Sequence, residues 1–89
     1  MKTINNTDGV NINNGFVALM GKNIMVFCMN YIYAGKLSQV GVDDILLENA
    51  SLVYETGELC AKSFKDAQKL PESLYIRINT IESYCISGR

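Results

Sequence analysis

A chain of 89 residues makes one small domain with a thin core, and a content of 48% apolar and 19% charged residues excludes a disordered polymer. The net charge of −1 and the absence of any basic run exclude nucleic-acid binding by bulk electrostatic attraction, so such binding would rest on a few placed side chains. There is no histidine, and the cysteines at positions 28, 60 and 85 form no CxxC pair, which excludes both a zinc site and a disulfide framework. The three cysteines read as small hydrophobes in a reducing cytoplasm.

The polar, asparagine-rich start, residues 1–14, does not have the character of a signal peptide. It reads as a loosely held arm, or alternatively as a short extra strand carrying Val10 and Ile12 in period two. Asn14 suits an N-cap for a short helix over 15–20, with Phe16, Leu19 and Met20 on one face and Gly21 as the left-handed residue that stops it. A helix this short is unstable alone and needs a surface to lie on.

The stretch from Gly21 to Glu55 is apolar, free of proline and rich in β-branched and aromatic residues, as expected of successive strands joined by tight turns. The first strand spans 22–30, with Ile24, Val26 and Cys28 on one face and Met25, Phe27 and Met29 on the other. Both faces are apolar, so one can line a barrel interior and the other can sit under the helix or a partner subunit. The second strand spans 31–40 and bends at Gly35. A turn over 41–44 leads to a third strand over 45–52, with a bend expected at Asn49-Ala50-Ser51. Residues 58–70 then switch to helical period, with Cys60, Phe64 and Ala67 on one stripe and Pro71 as the stop, which predicts a helical insertion between strands three and four. The fourth strand covers 73–78, with Leu74, Ile76 and Ile78 inward; a tight Asn79-Thr80 turn and a fifth strand over 81–86 follow. The sum is a mainly β domain over residues 15–89: a small five-stranded barrel of bent sheet with one short N-terminal helix.

Four sets of residues, Gly21-Lys22, Gly35-Lys36-Leu37, Ile45-Leu46-Leu47 with Asn49-Ala50, and Ile76-Arg77-Ile78-Asn79-Thr80-Ile81, follow the spacing of the two motifs of the Sm-like (LSm) family. The chain resembles a divergent bacterial or phage member of that family over residues 16–86, apart from the insertion. The resemblance implies a homo-oligomeric ring of about six or seven copies, each pairing its fourth strand with the fifth of the next, with Leu74, Tyr75, Ile76, Ile81, Tyr84 and Ile86 at the interface. It also implies binding of single-stranded RNA or a small nucleotide by Arg77, with Asp44, Asn79, Lys36 and Tyr33 as further contacts. The family's base-positioning Asp and Asn fall on Gly41 and Asp44, and its Arg-Gly on Arg77-Ile78, so of these four only the arginine is retained. A carboxylate at Asp44 cannot donate as an amide would.

Nothing in the sequence points to catalysis. General acid–base work at neutral pH lacks its usual histidine, and no nucleophile or phosphate-loop motif occurs. Asp43-Asp44 reads as a turn pair and not as a metal site. The expectation is a cytoplasmic, non-enzymatic module without cofactor, metal or membrane contact. The alternative is a structural or adaptor ring that binds protein, or that sequesters a signalling nucleotide between subunits as some phage-encoded inhibitors do.

Overall fold

The computed structural model describes residues 14–58 and 60–87, without the Asn14 side chain; the N-terminal arm, with Val10 and Ile12, lies outside the described residues. One short helix, α1 (Asn14–Val17), precedes six strands: β1 (Asn23–Cys28), β2 (Ile32–Val40), β3 (Asp44–Glu55), β4 (Asp66–Lys69), β5 (Leu74–Arg77) and β6 (Ile81–Ile86). All join one antiparallel sheet in the order β4-β3-β2-β1-β6, with β5 also on β3.

The strongly apolar runs form strands because each can bury a face. Ile24, Val26, Leu37, Ile45, Leu47 and Ala50 are sealed in the main core with Phe16 and Ile76. The helix is shorter than expected: one α turn, then a turn through Gly21, whose φ of +82° supplies the left-handed residue foreseen there. Phe16 and Leu19 face the core, but Met20 is exposed. The Gly21 N–H donates to the Leu37 carbonyl (2.8 Å) and the Leu37 N–H to the Lys22 carbonyl (3.0 Å), which stitches the helix exit onto β2.

The bends fall where the sequence places them. At Gly35 the β2–β3 register shifts, and a Cβ there would lie 2.9 Å from the Glu48 carbonyl oxygen and 3.1 Å from the Ala50 Cα. Only glycine lets the two backbones come that close. On the facing strand Asn49 takes φ +52°, a conformation that asparagine tolerates better than most residues. The third strand then continues three residues beyond the expected Leu52, to Glu55.

Four expectations need correction. First, no helix forms over the described part of 58–70: residues 60–63 are turns and bends, and Asp66–Lys69 is the extra strand, paired with Ser51–Glu55. The far half of β3 offers open backbone groups there, and satisfying them outweighs a weak helical period. Second, the other face of β1 does not wait for the helix or a partner. Met25, Ala34 and Val53 are buried, with the half-buried Phe27, Ile32 and Phe64 packed against them, so the segment after β3 folds back to cover it. Third, β1 stops at Cys28; Met29 is 81% exposed in the hairpin turn, where the Cys28 N–H donates to the Tyr31 carbonyl (2.9 Å). Fourth, the cysteines read as small hydrophobes are mostly solvent-facing: all are free thiols, Cys60 and Cys85 are exposed, and only Cys28 is half-buried. The two-residue turn before the last strand is a 3-10 turn over Ile78–Thr80.

Among the described residues, β5 pairs with β3 alone and β6 with β1 alone. The barrel is therefore open, and each of these strands keeps one edge without a strand neighbour.

Candidate nucleotide-binding surface

The sheet's bend brings two loops together at one end. The β2–β3 loop, 41–43, turns back on itself, with the Gly41 N–H donating to the Asp44 carbonyl (2.8 Å). The Ile78 N–H donates to the Asp43 carbonyl (2.8 Å), which ties this loop to the 3-10 turn. Between them lies a recess of about 320 Å³ lined by Val42, Asp43, Arg77, Ile78 and Asn79. Its polar side chains are one carboxylate, one guanidinium and one carboxamide, set among two aliphatic groups.

Of the residues anticipated as contacts, Arg77 and Asn79 meet in this recess. Asp44 is opposite Arg77 in the β3–β5 register, yet it is half-buried and does not line the recess. Its Oδ1 lies over Gly41, 3.2 Å from where a Cβ there would be. The neighbouring Asp43, read from sequence only as a turn residue, is the aspartate that lines the recess. Residue spacing could not separate the two; the lining of the recess, which includes Asp43 and not Asp44, does. Lys36 is exposed on β2 between Asn23 and Glu48 and reaches neither recess.

A larger cleft of about 530 Å³ opens on the hairpin side, where Tyr31, Tyr33, Leu74, Tyr75, Arg77 and Glu82 are among its walls. The Tyr31 and Tyr33 rings lie 6.1 Å apart at 44°. Burial pushes the Tyr33 phenol up from its usual range, helped by Cys28 and Tyr31 nearby. Burial likewise pushes the Cys28 thiol up, against the lowering effect of the Thr80 hydroxyl, which donates to its sulfur at 3.9 Å; the Glu82 charge adds to the rise. Both groups are thus held neutral, which suits packing and hydrogen bonding better than nucleophilic attack. Arg77 and Asn79 line both hollows, so one arginine serves two surfaces.

At the free edges, Tyr75 is 62% exposed and Ile86 is exposed, whereas Leu74 and Ile81 are half-buried and Ile76 is in the core. Ile76 can offer a neighbour only its backbone. Tyr84 stacks on Phe16 of its own chain, with centroids 4.0 Å apart and an interplanar angle of 24°, so one face of its ring is already covered.

No model of a known protein family matches the chain, and no curated protein does. Among solved structures it is similar to a chain of the P. aerophilum SmAP1 heptamer, crystallised in form C2221, with a TM-score of 0.64 and 15% identity over 86% of this chain and 93% of that one. The fold is therefore that of the Sm-like proteins, as the motif spacing led one to expect. Among the described residues no helix is long and apolar enough to cross a membrane.

Proposed function

We propose that the chain assembles into a homo-oligomeric ring of about six or seven copies and binds single-stranded RNA or a nucleotide through the loops at 41–44 and 78–80, without catalysing a reaction. The observation that carries this is the open sheet. Among the described residues, two proline-free strands, β5 and β6, each have a strand neighbour on one side only, in a fold similar to that of a heptameric protein. Bare edges favour pairing with another copy. A ring pairs every β5 and β6 edge, whereas an open chain of copies would leave one of each unpaired at its ends. Exposed Tyr75 and Ile86 on these strands supply apolar area for the contact.

The loop recess supplies the chemistry for RNA. Arg77 can meet a phosphate or a base edge, and Asn79 can donate or accept. Repetition around a ring multiplies weak contacts along one strand. Fluorescence anisotropy with short uridine- and adenosine-rich RNA checks the reading. Salt-sensitive binding by intact assemblies is expected, and Arg77→Ala weakens it; no binding at micromolar protein would contradict it.

The hairpin cleft favours a second reading, sequestration of a single small nucleotide. Its volume of about 530 Å³ lies within the range of small-ligand sites, and tyrosines and an arginine line it. Native mass spectrometry of the purified assembly would show a co-purified ligand as added mass.

A further inference from the structure

We propose that the recess between the two loops selects guanine, with Asp43 as the group that reads the base. This rests on the preceding assignment of RNA or nucleotide binding to these loops and names the base they accept. The recess, at about 320 Å³, is near the lower limit for a ligand site and has room for one base. Val42, 81% exposed, and Ile78 give it apolar surfaces that a base face would cover.

The polar groups fix which base fits. An ionised carboxylate only accepts hydrogen bonds, and its two oxygens are best satisfied by two adjacent N–H donors. Guanine presents such a pair, N1–H and the N2 amino group. Uracil presents one N–H between two carbonyls, so a carbonyl oxygen would face the Asp43 carboxylate. Adenine and cytosine each present one amino group beside a bare ring nitrogen, which leaves a similar lone-pair conflict. Guanine also carries O6 and N7, the acceptors that an arginine or an amide donor addresses. Arg77 and Asn79 line the same recess and supply those donors. Because the Ile78 N–H holds the Asp43 carbonyl at 2.8 Å, acceptor and donors are on backbones that move together. A site whose polar groups are matched to one base rejects another by leaving those groups unpaired.

The test uses the full chain in its assembled form and adenosine hexamers carrying one central guanosine, inosine or uridine, read by fluorescence anisotropy. Guanosine is expected to bind about tenfold or more tighter than uridine, the order of one bidentate base contact. Inosine, which lacks the N2 amino group, is expected between them. Asp43→Asn is expected to abolish the guanosine preference, while Glu55→Gln, which alters an exposed carboxylate at the far end of β3, retains it. Asp43 is exposed, so the variant is expected to fold, and its melting curve verifies this. Binding of all three hexamers with equal affinity, or an Asp43→Asn variant that still prefers guanosine, would overturn the guanine assignment and leave RNA binding standing. No binding of any hexamer by intact assemblies would overturn both.

Discussion

The two halves of β3 share one strand and have opposite surroundings. Its first half, Asp44–Leu47, pairs with β5, and Ile45, Leu46 and Leu47 are all buried. Its second half, from Ser51, pairs with β4, whose four residues are all exposed, and only Val53 is buried there. Between the halves the strand turns at Asn49 against Gly35 of β2. The first half holds the barrel core and positions the candidate site. The second half is held by backbone pairing and by Phe64. Stability is concentrated at one end of a single strand, next to the loops proposed to bind.

The sharpest way to break this contrast is Leu47→Ala. Leu47 is fully buried at the centre of the core, so about 2–5 kcal/mol of unfolding free energy is expected to be lost, seen as a lowered denaturant midpoint. Gly35→Ala tests the hinge between the halves. Its new Cβ meets backbone atoms that cannot swing aside, and a loss of about 1–3 kcal/mol is expected in the same measurement. Phe64→Ala tests the cover over the second half. Because Phe64 is only half-buried, about 1–2 kcal/mol is expected, and Met25 should become accessible to oxidation by peroxide. Tyr54→Phe is expected to change stability by less than about 0.5 kcal/mol, since it removes one exposed hydrogen bond, from the Tyr54 hydroxyl to the Gln68 Oε1 at 2.9 Å. If Leu47→Ala and Tyr54→Phe cost the same, the contrast between the halves is wrong.

The same contrast explains what could be read from the residues. Ile24, Val26, Leu37, Ile45 and Leu47 signal buried strands by their own chemistry, and the sequence reading located every strand they build. Gly35 and Asn49 betrayed the bends because few residues fit there. By contrast Asp66–Lys69 has no apolar alternation, and what makes it a strand is an edge of β3 more than ten residues earlier. Local pattern therefore favoured a helix that the tertiary pairing forbids. Phe64 was likewise placed on a helical stripe, when its role is to cover Met25, Ala34 and Val53. At the candidate site, motif spacing pointed to Arg77 and Asn79, and both line one recess. Asp43 was not singled out, because adjacent aspartates in a turn look alike until the structure shows which one lines the recess. Lys36 lines neither hollow, because a motif position does not fix where its side chain lies.

Everything proposed for function requires that the free edges of β5 and β6 meet in neighbouring copies. Native mass spectrometry of the full chain at micromolar concentration measures this directly. The expected result is one species at about six or seven times the subunit mass of 9.9 kDa, lost when Tyr75→Arg and Ile86→Arg are combined. A stable species of 9.9 kDa from the unaltered chain would contradict the ring.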